Sequence, residues 1–330
     1  MRYLVTLTPL EPFLFGGDNT FGKRGSETEG TYLVKSRHFP QQSAILGMLK
    51  KEIMIQSNTL TRKVRGEWVD RDNKQGTKHF VGDEKFDITA SRPQNFGAIK
   101  SLEPIFLLQG KKKYIKKVAI SDCTYKDGLL QGYNPKEDIY DNFVEMDSEE
   151  RLSSTAIFQA VEQIGNKKGG EENSLFKKTS YLLKNNFQFA FYMESDYALQ
   201  NSIVHLGADQ SSFQLKLKED ATQCNYLDTN GYLTLLSDSY ITIPLKGNCD
   251  FAITSEISYQ ALKGKKSSMT KKEDPKKNKQ NNPFEKTKKV FLYEKGSIIL
   301  NPSYALIQNL NNKNCQQIGY NKYTYKGKNK

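Results

Sequence analysis

The chain has 330 residues, of which 37% are hydrophobic and 11% are aromatic. This length suffices for one large domain or for two domains of about 150 residues, with a substantial buried core. The presence of 18 Phe and 18 Tyr residues excludes wholesale disorder. No apolar run approaches the ~20 residues of a membrane-spanning helix, and the first residues show no signal-peptide pattern. We therefore expect a cytoplasmic protein.

Positive charge dominates, since 49 Lys and Arg residues against 37 Asp and Glu residues give a net charge of +12. Such a balance favours a polyanionic partner, nucleic acid first. The excess is concentrated, however, because the segment Lys263–Lys289 carries 11 Lys and three carboxylates and the rest of the chain is only +4. The Lys- and Asn-rich composition of this segment predicts an unstructured insertion at 263–289.

Cysteine and histidine spacing gives no metal signature. The four cysteines are far apart and contain no CxxC pair, and no HxxxH spacing occurs among the three histidines. We expect no metal, no cofactor and four reduced thiols. The residues concerned are Cys123, Cys224, Cys249, Cys315, His38, His79 and His205.

Hydrophobic periodicity predicts an α+β fold dominated by strands, with few helices and long polar insertions. In the first half we expect strands at Arg2–Thr8 and Tyr32–Val34, a helix at Gln41–Ile55, a hairpin within 102–120 and a short helix at Thr155–Ile164. In the second half we expect strands at Leu175–Leu183, Phe187–Met193, Ser212–Lys218, Tyr240–Ile243, Asp250–Ile253 and Val290–Leu300, a helix after Pro302, and a last strand at Tyr323–Tyr325. The strand at Leu175–Leu183 is expected to pair with Phe187–Met193 through the turn at 184–186.

Two segments near the start carry a more specific pattern. The first, Leu7–Asp18, reads LTPLEPFLFGGD, a strand that ends in a Pro- and Phe-containing loop with two glycines. The second, Tyr32–Leu49, reads YLVKSRHFPQQSAILGML, a strand followed by a Phe-Pro step into a helix. Near the end, Gln317–Asn321 (QIGYN) has the form of a glycine loop, and His205–Asp209 (HLGAD) is a looser match.

These segments resemble the RAMP superfamily of CRISPR proteins, and within it the group of third subunits of type III-B (Cmr) effector complexes. The resemblance implies two ferredoxin-like (RRM-like) RAMP folds with long insertions, which we place at 1–184 and 185–330. It implies a noncatalytic subunit that binds the 5′ handle of the crRNA. It also implies protein partners, namely the large cyclase-bearing CRISPR subunit and the backbone RAMP subunit.

The candidate RNA site combines glycine backbone, cations and a helix start. Glycine lets a backbone approach phosphates closely, Arg offers bidentate phosphate contacts, and a helix start offers N–H groups and a favourable dipole end. An ordinary turn and solvated surface charge are the alternatives. The predicted RNA-binding residues are Gly16, Gly17, Lys23, Arg24, Lys35, Ser36, Arg37, His38, Gln41, Gln42, Ser43, Gly319, Tyr320, Asn321 and Lys322. For Gly207 a strand-end turn is the preferred interpretation.

An enzymatic alternative centres on His38, which could act as a general acid in metal-independent RNA cleavage. The other two histidines, His79 and His205, are far from His38 in the sequence, and no motif brings them together as an acid–base pair. We therefore expect no catalytic activity. The rivals to an RNA-binding subunit are a RAMP endoribonuclease that processes precursor crRNA and a purely structural subunit that meets only proteins. A metal pair made by Glu11 and Asp18 is discounted, because Asp in a Gly-rich turn is common. The Lys-rich hairpin Lys111–Lys117 suits single-stranded nucleic acid, but a charged hairpin kept soluble by Lys is preferred.

Overall fold

The computed structural model describes residues 1–16, 19–21, 32–64, 67–72, 74–83, 85–119, 124–132, 134, 139–148, 150–166, 175–222, 232–264 and 284–325. Its helices are α1 (Gln42–Gln56), α2 (Lys78–Val81), α3 (Ser154–Ile157), α4 (Tyr304–Leu310) and α5 (Lys313–Gln317). No helix of the described part is long and apolar enough to cross a membrane.

The strands of the first part of the chain are β1 (Arg2–Pro9), β2 (Asn19–Phe21), β3 (Tyr32–Lys35), β4 (Arg62–Val64), β5 (Glu67–Val69), β6 (Ile99–Leu102), β7 (Phe106–Gln109), β8 (Lys112–Lys116), β9 (Thr124–Lys126), β10 (Leu129–Gln131), β11 (Phe143–Glu145), β12 (Arg151–Leu152) and β13 (Phe158–Asn166). Those of the second part are β14 (Leu175–Leu183), β15 (Gln188–Ser195), β16 (Ser202–Leu206), β17 (Ser211–Glu219), β18 (Tyr232–Leu235), β19 (Phe251–Ile253), β20 (Glu256–Tyr259), β21 (Leu262–Gly264), β22 (Phe284–Lys286), β23 (Val290–Tyr293), β24 (Ile298–Leu300) and β25 (Tyr323–Tyr325). The predicted α+β class is confirmed.

A nine-stranded sheet, here called the main sheet, organises the first two thirds of the chain. Its strand order is β12-β11-β8-β7-β15-β1-β17-β16, with β6 pairing to β15. Strand β1 lies antiparallel to both of its neighbours, β15 and β17. These three strands come from both sides of the predicted domain boundary at 184/185, and they share one sheet.

The main core fills one side of this sheet. Alternate residues of β1, including Val5 and Leu7, are fully buried there, as the period-2 pattern requires. Helix α1 covers them with residues at helical spacing, such as Ile45, Leu49 and Ile53. The predicted strand β1, the helix α1 and the hairpin β7–β8 are therefore confirmed.

A second sheet belongs to the last third of the chain. Its order is β19-β24-β18-β25, and all of its described pairings are antiparallel. Helix α4 packs on it through Leu306 and Leu310, which are buried against Leu233, Leu235 and Ile299. Ser303 caps α4, because its Oγ accepts a hydrogen bond from the backbone N–H of Leu306 at 3.2 Å. The helix thus begins just after the predicted Asn301-Pro302 start.

A third sheet contains β13-β14-β3-β2. Strand β14 pairs antiparallel with β13 and parallel with β3, so the predicted pairing of Leu175–Leu183 with Phe187–Met193 is wrong. The turn before β15 carries Asn185 and Asn186 at φ 51° and 59°, and it takes the chain from one sheet to another instead of closing a hairpin. The predicted helix at Thr155–Ile164 is also wrong beyond Ile157, because β13 forms a nine-residue ladder with β14.

Three further expectations differ from the structure. Residues Tyr240–Ile243 form no strand, and the strand of that region is β18. The predicted strand Val290–Leu300 is divided into β23 and β24 by a turn in which Gly296 has φ +86°. The predicted unstructured insertion begins and ends in paired strands, since β21 pairs with β22, and its residues 265–283 lie outside the described residues.

The aromatic centre of the main core gives the first testable prediction. Phe189 is fully buried among Phe13, Phe15 and Phe213, with ring centroids at 5.3, 5.6 and 6.5 Å. Phe189→Ala should lower the free energy of unfolding by about 3–5 kcal/mol, because it leaves a cavity in a packed core. Phe291, which is 57% exposed, provides the control, and Phe291→Ala should change stability by less than about 0.5 kcal/mol. Equal urea midpoints for the two variants would contradict the described core.

Candidate nucleic-acid interface

The segment that joins β3 to α1 holds the two sequence motifs side by side. The hydroxyl of Ser36, which is buried, accepts a hydrogen bond from the backbone N–H of Phe15 at 2.8 Å. The backbone N–H of Arg37 donates to the carbonyl of Phe15 at 3.2 Å. Gly16 is therefore held next to Arg37, while the Ser36 side chain itself makes a structural hydrogen bond.

Arg37 lies between two cavities and lines both. Its guanidinium donates to the backbone carbonyl of Ser258 at 2.9 Å, so a residue of the last third of the chain fixes its position. The larger cavity, here called the α1 groove, has a volume of about 860 Å³. The smaller one, here called the seam pocket, has a volume of about 440 Å³.

The α1 groove runs along the first turns of α1 and is positively charged. Among the described residues that line it, three are cations and none is a carboxylate. Four aromatic side chains and three glycines lie in the same lining. The cations are Arg37, Lys50 and Lys85, the aromatic residues are Phe15, Phe39, Phe86 and Tyr259, and the glycines are Gly16, Gly47 and Gly207. Cations, glycine backbone and rings in one groove are the combination that binds single-stranded nucleic acid.

The seam pocket is mixed in charge. It contains Lys35, His38 and Lys116 together with Glu256 and Glu294. The Lys116 ammonium lies 2.7 Å from a carboxylate oxygen of Glu294. A pocket of both signs is a poorer site for a polyanion than the α1 groove.

Two buried side chains of opposite charge, Asp238 and Lys295, line the seam pocket. Asp238 accepts a hydrogen bond from the backbone N–H of Lys295 at 3.0 Å and lies 3.4 Å from the amide nitrogen of Gln41. The Lys295 ammonium lies 4.0 Å from the centre of the Phe39 ring. Burial lowers the pKa of Lys295 to about 8 and raises the pKa of Asp238. This pair links the second sheet to the start of α1.

His38 is held among aromatic rings in the seam pocket and does not line the α1 groove. Its ring stacks on Phe158 at 4.3 Å and meets Tyr181 edge-on at 4.8 Å. Burial, helped by the charge of Lys116, lowers the pKa of His38 to about 4. The imidazole is therefore neutral near pH 7. His79 lies in α2 and His205 on β16, so the three histidines occupy three different places.

The predicted glycine loop at Gly319–Lys322 lies inside the protein. Tyr320 is fully buried, and its hydroxyl donates to Oε1 of Gln41 at 2.9 Å and accepts from the backbone N–H of Ser43 at 3.3 Å. Asn321 is also buried and bonds both backbone groups of Tyr240 at 2.7 and 3.1 Å. These side chains are used by the fold, so the expectation that they grip RNA is corrected.

Two neighbouring predicted residues are engaged in the same way. Lys322 lies 3.3 Å from the carboxylate of Glu103. Gln42 is buried and donates from its amide to the Glu103 carbonyl at 3.0 Å. Moreover, the Ser43 N–H that was expected to face RNA is already bonded to Tyr320. The Ser43 N–H and the Gln42 amide at the start of α1 are thus already hydrogen-bonded within the protein.

Gly207, for which an ordinary turn was preferred, also lines the groove. It has φ +97°, and a Cβ there would lie 2.6 Å from the Leu14 carbonyl oxygen, so only glycine fits. On α1, Ser43, Gly47 and Lys50 are spaced by four and three residues, which places them on one helix face. That spacing could have revealed Lys50 and Gly47 in advance. Sequence proximity gives no such signal for Lys85, Phe86 or Tyr259.

Four of the residues named from the sequence cannot be located in the structure. Gly17, Asp18, Lys23 and Arg24 lie outside the described residues. Glu11 accepts a hydrogen bond from the backbone N–H of Ser212 at 2.7 Å. Within the described part of the chain, no group of three or more His, Cys, Asp or Glu residues could hold a metal ion.

Three lysines of the β7–β8 hairpin are engaged within the protein. Lys112 lies 2.6 Å from a carboxylate oxygen of Glu150, and Lys116 pairs with Glu294 as described above. Lys113 donates to the hydroxyl of Tyr192 at 3.1 Å. This arrangement favours the interpretation of a charged, soluble hairpin over a nucleic-acid contact.

Comparison with solved structures gives the fold. A chain of the type III-B Cmr-beta assembly bound to cognate target RNA, determined by cryo-EM, matches with a TM-score of 0.55 and 15% identity, covering 98% of this chain and 96% of that one. The chain has the fold of a Cmr-beta chain. A second Cmr-beta structure, with target RNA and AMPPnP, matches at a TM-score of 0.50 and 14% identity, with coverages of 98% and 96%. No family model and no curated protein matches the sequence.

The structural role of Gly319 can be tested with a matched glycine. Gly319 and Gly247 have φ of +84° and +81°, but a Cβ at Gly319 would lie 2.0 Å from the Gln42 amide, whereas one at Gly247 meets nothing within 4 Å. Gly247→Ala should cost about 1–2 kcal/mol for the left-handed backbone, and Gly319→Ala about 1–3 kcal/mol more for the overpacking. Chemical denaturation of both variants measures the difference, and equal losses would refute the close packing at Gly319.

Proposed function

We propose that this chain is a noncatalytic RNA-binding subunit of a type III-B CRISPR effector ribonucleoprotein. In this proposal it binds the 5′ handle of the crRNA and joins the large cyclase-bearing subunit to the backbone RAMP subunit. The observation that carries the RNA-binding part is the α1 groove, in which Arg37, Lys50 and Lys85 line a cavity with no carboxylate among its described residues.

The fold supports membership of such a complex. The matched chains come from Cmr-beta assemblies that are bound to cognate target RNA. The match covers nearly the full length of both chains, so no large part of either fold is missing from the other. The two sequence motifs meet at Gly16 and Arg37. The fold match and these motifs together favour a RAMP subunit over an unrelated RNA-binding protein.

Strand order supports two ferredoxin-like units. The segment β7-β15-β1-β17 of the main sheet, numbered in chain order, reads 2-3-1-4, and so does the second sheet β19-β24-β18-β25. This is the order of an antiparallel βαββαβ unit. The first unit has α1 between its first two strands, and the second has α4 and α5 between its last two. In this interpretation the boundary lies between 219 and 232, instead of 184/185.

The groove offers distinct contacts to an RNA strand. Arg37, Lys50 and Lys85 would neutralise phosphates, and the backbone at Gly16 and Gly207 would allow their close approach. Phe86, which is half-buried, would provide a ring face for a base, which single-stranded RNA exposes. Phosphate contacts of this kind position the strand, while base contacts select its sequence.

The first prediction of this proposal is that groove cations govern handle affinity. Arg37→Ala should weaken binding of the handle RNA by about 1–3 kcal/mol, and Lys85→Ala should weaken it with a salt slope reduced by about 1. Lys35→Ala should have a smaller effect, because Lys35 lines the seam pocket. Titrations at two salt concentrations measure these effects.

The matched control is Lys246→Ala, since Lys246 is exposed and lines neither cavity. This variant should leave affinity nearly unchanged. Because Arg37 also bonds Ser258, the thermal midpoint of Arg37→Ala must be measured beside it. Unchanged affinity in both groove variants, with the fold intact, would place the handle elsewhere or leave a subunit that meets only proteins.

A second prediction concerns catalysis. The purified chain should not cut repeat RNA, with or without metal, because His38 is held among rings with a pKa of about 4 and no second histidine lies in its part of the fold. Electrophoresis of labelled RNA after incubation is the measurement. Sequence-specific cleavage that disappears in His38→Ala but persists in His205→Ala would establish the endoribonuclease alternative.

A further inference from the structure

The ammonium group of Lys295 is buried without an ion pair. Lys295 is 8% exposed, and none of the described residues forms a salt bridge with it. The Asp238 carboxylate accepts its hydrogen bond from the backbone N–H of Lys295, not from the ammonium. The ammonium donates to the Ile105 carbonyl at 3.4 Å, longer than the about 2.7–3.2 Å usual for such a bond. An ammonium has three N–H donors, so this one can still bind an anion.

Lys295 lines the seam pocket, which is large enough for a small molecule. The volume of the pocket is about 440 Å³, within the range of about 300–1,000 Å³ that small-molecule sites have. Lys295 and Asp238 are buried in its lining, while Lys35 and Glu256 are exposed. A buried charge is costly unless it is paired or hydrogen-bonded. A ligand with a negative group would therefore give the Lys295 ammonium an ion-pair partner.

The charges around the seam pocket match a ligand with one negative charge. Its lining contains four cations and three carboxylates, an excess of one formal positive charge. Lys116 is already paired with Glu294 at 2.7 Å, and the Arg37 guanidinium donates to the Ser258 carbonyl. Lys295 is thus the buried cation of the pocket with no acidic partner among the described residues. A monoanion would neutralise the excess charge, whereas a polyanion would also meet the carboxylates.

The uncharged part of the lining suits an apolar or aromatic ligand body. It contains the rings of His38, Phe39 and Tyr181 and the aliphatic side chains of Leu33 and Ile257. Leu33 is 39% exposed and Ile257 is half-buried, so both are accessible to a ligand. An apolar lining with a few placed polar groups is typical of small-molecule sites.

We propose that the seam pocket binds an organic monocarboxylate with an apolar or aromatic body, and that the carboxylate pairs with the Lys295 ammonium. A free small acid and the C terminus of another protein present this same chemistry. A phosphate monoester is disfavoured, because its charge of about −1.5 to −2 exceeds the excess of the pocket. An RNA strand is disfavoured for the same reason.

This proposal goes beyond the RNA-binding function and does not rest on it. The seam pocket and the α1 groove share Arg37 and Phe39, but Lys295 lines only the seam pocket. The test uses ligands that contain no nucleotide, and it is run without RNA. A chain that fails to bind handle RNA can therefore still bind the acid, and the two failures are distinguishable.

The test compares two ligands that differ at one group. N-acetylphenylalanine has an aromatic ring and a carboxylate, and N-acetylphenylalaninamide has an uncharged amide in place of the carboxylate. Calorimetric titration of the full chain should show saturable binding of the acid. The amide should bind at least about tenfold more weakly, because it cannot form a charge-assisted hydrogen bond with the ammonium.

A lysine variant tests the assigned partner of the carboxylate. Lys295→Met removes the ammonium and keeps a long, flexible side chain. It should weaken the acid at least about tenfold and leave the affinity of the amide nearly unchanged. Lys35→Glu changes an exposed position of the same lining, so it tests the pocket even if Lys295→Met fails to fold. It should weaken the acid but not the amide.

The matched control is Lys246→Met, the same substitution at an exposed lysine that lines neither cavity. It should change the affinity of either ligand by less than about twofold, because only long-range attraction is lost. Methyl NMR then locates the acid. The Ile257 signal, assigned with Ile257→Val, should shift on binding, whereas the signal of Ile299, buried in the core of the second sheet, should not.

Two further ligands test the source and the charge of the acid. A peptide of about ten residues that ends in a free phenylalanine carboxylate should match the affinity of the acid if the pocket receives a C terminus. Binding of the acid without binding of the peptide would identify a free small molecule, and either result supports the proposal. Phenyl phosphate should bind more weakly than the acid.

Four results would overturn the proposal. These are equal affinities for acid and amide, absence of saturable binding by the acid, an unmoved Ile257 signal, and an unchanged affinity for the acid in folded Lys295→Met and Lys35→Glu. Tighter binding of phenyl phosphate would replace the carboxylate with a phosphate ligand. Competitive displacement of the acid by handle RNA, with RNA affinity lost in Lys295→Met, would instead assign the seam pocket to the RNA site.

Discussion

The antiparallel ladders that hold β1 between β15 and β17 are the constraint on which the rest of the structure depends. They join the first residues of the chain to segments about 200 positions away, which is entropically costly and must be repaid by burial. Val5 and Leu7 of β1 are fully buried on one side, under α1. The segment Phe13–Gly16 follows β1 closely in the chain, so the position of β1 also determines where Phe15 and Gly16 line the α1 groove.

Long-range hydrogen bonds then set the walls of that groove. Phe15 is bonded to Ser36 and Arg37, Arg37 to Ser258, and the Gly207 turn lies against the Leu14 carbonyl. Each of these contacts joins segments that are distant in sequence. The groove is thus formed where five segments of the chain meet, the fifth being Lys85–Phe86.

The buried Asp238–Lys295 pair adds a second constraint at the same place. Burying a charge is unfavourable unless it is paired or hydrogen-bonded. Here Asp238 accepts a hydrogen bond from the Lys295 backbone N–H and lies near the Gln41 amide. The Lys295 ammonium donates to the Ile105 carbonyl at 3.4 Å and lies over the Phe39 ring. Tyr320 bonds Gln41 and Ser43 from the same side. The last third of the chain thereby positions the start of α1, and the polar residues at 319–322 have structural partners within the fold.

The sequence by itself determined several local elements and two residues of the groove, Gly16 and Arg37. Alternation specified β1, helical spacing specified α1, and the motifs at Leu7–Asp18 and Tyr32–Leu49 pointed to Gly16 and Arg37, because these signals are read within a few residues. Only the tertiary structure decided that β13 is a strand, that β14 pairs away from β15, that His38 is enclosed by rings, and that Gly207 rather than Gly319 lines the groove. The physical reason is that pairing and burial depend on partners far along the chain: the Gln42 amide makes Gly319 a packing residue, and the Leu14 carbonyl leaves room only for glycine at 207.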